Sequence, residues 1–169
     1  MKTRRPSFAV VLALLVGIIG GLVGGSSPAL AVVSIASSDT IQIPYGGVLR
    51  GTPENVLLSG FVQIDTVVVR DPDFGTPPIV LLSIDFSNVS GVGLKTRTTY
   101  VTSGGQDLVR LLVAKDVVDV TFALLPDDGT GFTSARSARA SFTLHYNVRQ
   151  ERFVSGTASP AVDVNLPAQ

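Results

Sequence analysis

Hydrophobic and polar residues alternate with a period of two over several stretches of the chain, and this periodicity restricts the fold more than any other feature. The clearest examples are residues 61–69, 79–86, 117–124 and 142–148. Since successive side chains of a β-strand point to opposite faces, each stretch predicts a strand with one buried and one solvated face. Antiparallel sheets with one face in solvent produce this pattern.

Turn-forming segments rich in glycine, proline and polar residues separate these stretches at short intervals: residues 44–47, 51–55, 71–78, 90–93, 103–106, 126–131 and 147–152. Between them we predict strands at residues 32–37, 40–43, 56–69, 79–86, 95–102, 107–113, 117–124, 137–149, 151–157 and 161–165. The stretch 56–69 is either two strands or one strand bent at Gly60. Short strands with regular turns favour an all-β fold, an antiparallel β-sandwich of jelly-roll or Ig-like type, with a small barrel as the alternative.

Residues 107–115 are ambiguous between strand and helix. The spacing of Leu108, Leu111 and Leu112 fits a helical period near 3.6. The spacing of Leu108, Arg110 and Leu112 fits a period of two about as well. We predict a strand here and keep a short helix as the alternative.

The N-terminal segment has the composition of an export signal. Lys2, Arg4 and Arg5 come first, an uncharged apolar run follows, and Ala29 and Ala31 occupy the two small-residue positions that signal peptidase reads. We therefore predict a helical signal peptide over residues 1–31 and a single all-β domain over residues 32–169.

Two alternatives concern how this segment works. A retained membrane anchor would need about 20 apolar residues, but the run is shorter and contains several glycines. The pair Arg4-Arg5 matches part of a twin-arginine signal, so the export route stays open between the Sec and twin-arginine pathways. Either route leads to the periplasm or the exterior of a bacterium.

Charge and length limit the possible partners of the mature domain. Removal of residues 1–31 leaves 138 of the 169 residues, a length typical of one domain. The full chain has 13 basic and 13 acidic residues, and removal of Lys2, Arg4 and Arg5 leaves ten basic residues, for a net charge of about −3. This mild acidity does not suit nucleic acid or an anionic membrane surface. We predict no nucleic-acid partner, and membrane contact only through the uncleaved signal segment.

The chain contains no cysteine. This excludes disulfides, thiolate metal ligands and cysteine nucleophiles. An exported domain without disulfides depends on its core alone for stability, as many bacterial envelope proteins do. The export signal and the missing cysteine together indicate a bacterial protein.

The segment Asp73-Phe74-Gly75 has the same three letters as the magnesium-binding motif of protein kinases. A kinase also needs a glycine-rich phosphate loop, a strand lysine and a catalytic loop, and the sequence has none of them. Pro72 and Gly75 instead fit an ordinary turn, because proline fixes φ and glycine permits positive φ. We interpret this segment as a connection between two strands.

A calcium site is the alternative interpretation of the acidic turns. Asp71 and Asp73 lie in one turn, and Asp127 and Asp128 lie in another. Carboxylate oxygens are the ligands that calcium prefers, so these four residues are weak candidates if the fold brings the two turns together. We assign no other metal ligand and no cofactor.

His145 is the only histidine and lies on the polar side of its predicted strand. Catalysis by histidine needs a neighbouring carboxylate or nucleophile, and the chain has no Gly-x-Ser-x-Gly motif. We therefore predict that the protein is not an enzyme and name no catalytic residue. An extracytoplasmic hydrolase that uses His145 is one alternative, and a small-ligand carrier with a barrel cavity is another.

The sequence thus predicts a non-catalytic structural, adhesive or binding component of the bacterial cell envelope or exterior. Its partner is not identified by the sequence, and self-association or another envelope protein fits this interpretation. In one version, residues 32–43 act as a donor strand for a second copy, because this segment is apolar and alternating.

Overall fold

The computed structural model describes residues 33–51, 53–70, 77–127, 135–159 and 162–163. The predicted signal peptide lies outside these residues, so its helix, its cleavage site and the domain boundary stay predictions. Among the described residues every regular element is a β-strand: β1 (Ser34–Leu49), β2 (Val56–Arg70), β3 (Ile79–Asp85), β4 (Val89–Gly93), β5 (Thr99–Ser103), β6 (Gly105–Leu111), β7 (Lys115–Pro126), β8 (Arg136–Asn147), β9 (Arg152–Ala158) and β10 (Val162–Asp163).

These strands form one open sheet in which every pairing is antiparallel. The order of neighbours is β10-β8-β7-β5-β4-β2-β3-β6, with β1 beside β2 and β9 beside β8. The all-β, antiparallel prediction is therefore confirmed. Local alternation favoured it correctly because each long strand buries one side chain in two, as β7 does over its whole length.

Strand β2 is one continuous strand that exchanges one neighbour after Gly60. Its first part, Val56 to Gly60, pairs with β4, and its later part, Gln63 to Val69, pairs with β3. On its other edge it pairs with β1 throughout. Gly60 has φ +146°, and a Cβ at this position would collide with the carbonyl oxygen of Asn88. Glycine is needed here because the backbone of the β3–β4 turn approaches β2 too closely for a side chain.

The core is built from the inward side chains of strands that are far apart in the sheet order. Tyr45 of β1 contacts Phe86, Phe122 and Phe142, with ring centroids 5.9–6.4 Å apart. Phe86 and Phe122 stack at 4.2 Å. All four rings are buried. Apolar side chains from different parts of the same sheet therefore cover one another, without a further layer of helices or strands among the described residues.

Two predicted turns are wrong. Residues 44–47 continue β1, which joins the predicted strands 32–37 and 40–43 into one element, and residues 90–93 belong to β4. We took proline and glycine as signs that a strand ends. Among the described residues, however, β1 has a strand neighbour on one side only, and proline is tolerated in such an edge strand. Gly91 and Gly93 are required because a Cβ would overlap the side chains of Val56 and Glu54.

The strand prediction for residues 107–115 is confirmed in its main part, since β6 spans Gly105–Leu111. The helical alternative is wrong, because the segment pairs with β3 residue by residue. The predicted strand 95–102 begins too early, since residues 94–96 form a turn and β5 starts at Thr99. Residues 34–43 of the predicted donor segment belong to β1, which pairs with β2 of the same chain.

Candidate functional site

The carboxylate of Glu54 is buried between the start of β2 and the β4–β5 turn. Its Oε2 accepts the backbone N–H groups of Lys95 at 2.8 Å and Thr96 at 2.9 Å. Its Oε1 accepts the hydroxyl groups of Thr96 and, at 3.4 Å, of Tyr100. The carboxylate therefore fixes a turn that is about 40 residues away in sequence.

These donors determine the protonation state of Glu54. The hydrogen bond from the Thr96 hydroxyl is the main cause, and with the other donors it lowers the pKa of Glu54 to about 2. The group is therefore ionised at neutral pH and has no proton to donate to a substrate. Its two oxygens are already occupied, so the arrangement fits a structural role and does not provide a general acid.

Arg136 stabilises the backbone of the loop that contains Glu54. Its guanidinium donates to the backbone carbonyl of Glu54 at 2.7 Å and to that of Arg50 at 3.0 Å. Because Arg136 is only 4% exposed, β8 is anchored to the loop between β1 and β2 from beneath the surface. The sequence did not indicate Glu54 as a candidate, because this residue stands in a segment that is typical of a turn.

A surface groove of about 560 Å³ lies beside this cluster. Its lining residues are Gly51, Pro53, Glu54, Asn55, Leu94 and Lys95. Asn55 accepts the N–H of Gly51 at 3.2 Å through its side chain, so this polar group also stabilises the loop. The polar side chains of Glu54 and Asn55 are thus used to build the groove wall.

An ion pair links β6 to the start of β7. Arg110 donates two hydrogen bonds to the carboxylate of Asp116, at 2.8 Å from Nε and 2.7 Å from Nη2. Tyr146 lies close by, and burial raises the pKa of its hydroxyl to about 12, so it stays protonated at neutral pH. The pair of Arg110 and Asp116 thus joins the two ends of the short connection between β6 and β7.

His145 is exposed on β8, as its predicted position on the polar face requires. Its cross-strand neighbours are Lys115 on β7 and Ser155 on β9. Within the described part of the chain, no hydrogen bond or ion pair joins His145 to a carboxylate. The register thus supplies a serine beside the histidine but not the acid that would orient it.

The candidate calcium ligands Asp71, Asp73 and Asp128 lie outside the described residues. Asp127 is exposed, and its N–H donates to the carbonyl of Thr99 at 2.8 Å. Among the described residues no group of three or more histidine, aspartate or glutamate side chains is placed to hold a metal ion. The calcium site stays a prediction.

The described residues contain no helical segment with the length and hydropathy that a membrane crossing requires.

An exposed row of apolar side chains crosses the outer face of three neighbouring strands. Val48 of β1 lies opposite Leu57 of β2, and Leu57 lies opposite Val92 of β4. These residues, here called the outer apolar row, are 41%, 47% and 39% exposed. Phe61 extends the apolar surface along β2 and is 49% exposed. The sequence signal was the run Val56-Leu57-Leu58, which breaks the alternation by placing an apolar residue on the solvent side.

Comparison of the chain with models of protein families, with curated proteins and with solved structures finds no match.

Proposed function

We propose that this chain is an exported, non-catalytic β-sandwich protein that serves as a structural or binding component of the bacterial envelope or exterior. The outer apolar row is the observation that carries this proposal. Most solvent-facing side chains of a soluble sheet are polar, whereas Val48, Leu57 and Val92 are adjacent and exposed together. Contiguous apolar surface of this kind is typical of contact sites.

The distribution of polar side chains supports the same proposal. Glu54, Asp116 and Arg136 are buried, and each forms hydrogen bonds within the chain that stabilise a loop or a strand connection. Removing the partner of a buried charged group is costly, so these side chains fit a role in the scaffold. These three charged side chains are thus engaged within the chain and are not available for contact with a partner.

The sandwich architecture is part of the proposal. The neighbour of β2 on one edge changes at Gly60 from β4 to β3, and this change supports a sheet that folds into two facing parts. The buried rings of Tyr45, Phe86, Phe122 and Phe142 then fill the space between those parts. A filled interior favours a sandwich over a barrel that carries a ligand.

Export is tested with the full chain carrying a C-terminal tag in a bacterial host. We expect the tagged protein outside the cytoplasm, with an N-terminus at Val32. Replacing Ala31 by a bulky residue (Ala31→Phe) should retain the larger precursor, because signal peptidase requires a small side chain there. A wild-type product that stays in the cytoplasm at full length would overturn the export part of the proposal.

Contact through the outer apolar row is tested with the double variant Val48→Ser, Leu57→Ser. We expect the wild type to sediment with the cell envelope and the variant to move several-fold into the soluble fraction. The matched control is Val117→Ser, Val154→Ser, because Val117 and Val154 are similarly exposed, at 55% and 61%, on β7 and β9. Equal release of both variants would show that the row has no specific role.

A further inference from the structure

Strand β6 has a neighbour on one edge only. It pairs with β3 over all of its residues from Gly105 to Leu111, without a register shift. Among the described residues no strand lies along its other edge. Open edges with regular backbone geometry accept further strands, and natural proteins usually protect them with lysine, proline or a bulge.

The direction of the backbone groups on β6 follows from one hydrogen bond. The N–H of Leu112 donates to the carbonyl of Pro78, at 2.8 Å, just beyond the β3–β6 pairing. Since successive residues of an antiparallel strand direct their N–H and C=O groups to opposite edges, Arg110 and Leu108 also face β3. Gly105, Asp107, Val109 and Leu111 therefore direct their backbone groups to the open edge.

The side chains at this edge are apolar and unusually exposed. Val109 is 67% exposed and Leu111 is 59% exposed, and they extend apolar rows that begin at Leu81 and Ile79 of β3. The two charged residues of β6 are engaged within the chain, since Asp107 accepts from the Ser83 hydroxyl at 2.6 Å and Arg110 pairs with Asp116. Neither charge protects the edge as a free lysine would.

We propose that β6 pairs antiparallel with β6 of a second copy, about a two-fold axis centred on Val109. In this register Val109 lies opposite the partner's Val109, and Asp107 lies opposite the partner's Leu111. Asp107, Val109 and Leu111 then find backbone partners within β6 of the second copy, because a two-fold axis makes the interface self-complementary. Arg110 lies opposite the partner's Leu108, so the two copies of its guanidinium do not face each other.

The size of the edge sets the strength of this association. A seven-residue strand is about 23 Å long and a sheet is about 10 Å thick, so the edge presents roughly 230 Å². Stable interfaces bury about 800 Å² on each partner. We therefore expect a weak, concentration-dependent dimer. This inference is independent of the outer apolar row, which lies on β1, β2 and β4.

Cysteine cross-linking tests the proposed register directly, because the chain has no other cysteine. In Val109→Cys the two thiol-bearing residues would have Cα atoms about 5.5 Å apart, within the range for a disulfide. The control is Val154→Cys, since Val154 is also highly exposed, at 61%, but lies on β9. We expect Val109→Cys to form a disulfide dimer several-fold faster than Val154→Cys. Equal rates would overturn the proposal.

Sedimentation equilibrium of the full chain tests the role of the backbone. Val109→Pro removes an N–H that faces the open edge and leaves the pairing with β3 intact, so it should weaken association about tenfold or more. Val109→Thr keeps that N–H and should associate nearly as well as wild type, and Val109→Lys provides a second variant that blocks the edge. A wild-type chain that remains monomeric up to about 1 mM, or a proline variant that dimerises normally, would contradict the proposal.

Discussion

Asp39 on β1 and Phe153 on β9 are joined by a hydrogen bond from a backbone amide to a side chain. The Phe153 N–H donates to Oδ2 of Asp39 at 3.3 Å, across 114 residues of sequence. A register shift in the β8–β9 pairing leaves Val154 as an extra residue on β9 next to Phe153. The place where β1 and β9 meet is here called the seam. At the seam the side chain of Asp39 accepts a hydrogen bond of the kind that a backbone carbonyl accepts inside a sheet.

Other side chains strengthen the seam between β1 and β9. The Ser37 hydroxyl donates to the carbonyl of Glu151, and Arg152 lies 3.7 Å from the carboxylate of Asp39. Arg70 at the end of β2 forms a two-pronged contact with the carboxylate of Glu151, at 2.7 Å and 2.6 Å. Side chains rather than a backbone ladder thus hold the two edges together.

We expect Asp39→Ala to lower the free energy of unfolding by about 1 kcal/mol, because it removes the acceptor for the Phe153 N–H. Asp39→Asn is the matched control, since its side-chain oxygen can still accept that hydrogen bond. Urea denaturation of both variants measures the difference. An alanine variant as stable as the asparagine variant would show that the seam does not depend on this bond.

Glu54 should make the stability of the fold sensitive to acid. Its pKa falls from an ordinary value of 4.5 in the unfolded chain to about 2 in the folded chain. The folded state therefore binds fewer protons, and the stabilisation is fully present above about pH 4.5 and is lost as the pH falls towards 2. We expect Glu54→Gln to be less stable than wild type at neutral pH, with the difference shrinking across this window.

The measurement is thermal unfolding at several pH values between 2 and 7. The control is Asp127→Asn, because Asp127 is exposed and its side chain forms no hydrogen bond or ion pair among the described residues. A difference between wild type and Glu54→Gln that stays constant over the whole pH range would contradict the assignment.

Gly60→Ala should be strongly destabilising, because an added Cβ meets the backbone of Asn88 and Val89 and because φ is +146°. Strain of this kind costs about 1–3 kcal/mol for the backbone conformation alone, and the collision adds to it. Gly104→Ala separates the two effects, since Gly104 also has positive φ (+113°) but has open space around it. We expect the Gly60 variant to lose clearly more stability in denaturant unfolding. Equal losses would mean that the close approach at Asn88 is unimportant.

His145→Ala distinguishes the proposed non-catalytic function from the hydrolase alternative. The side chain is exposed, so we expect stability to change by less than about 0.5 kcal/mol. Wild type and variant are compared in a broad screen with ester, peptide and glycoside substrates. An activity that is present in the wild type and lost in the variant would favour the hydrolase.

The sequence predicted the strands where burial alternates along a single segment. Residues 79–86 and 117–124 show one buried and one solvated side, and β3 and β7 occupy nearly the same positions. The prediction failed at residues 44–47 and 90–93, where glycine and proline suggested turns. Those residues are accommodated because of neighbours from distant segments, such as Glu54 beside Gly93.

By itself the sequence determined which side of each strand is apolar, and therefore that the chain forms antiparallel sheet. This information is local, because side-chain direction alternates along one strand whatever its neighbours are. Only the tertiary structure decided which strands pair, how β2 divides its edge between β4 and β3, and why Glu54 is buried and ionised. Those features depend on hydrogen bonds and close contacts between residues tens of positions apart, which a periodic pattern does not encode.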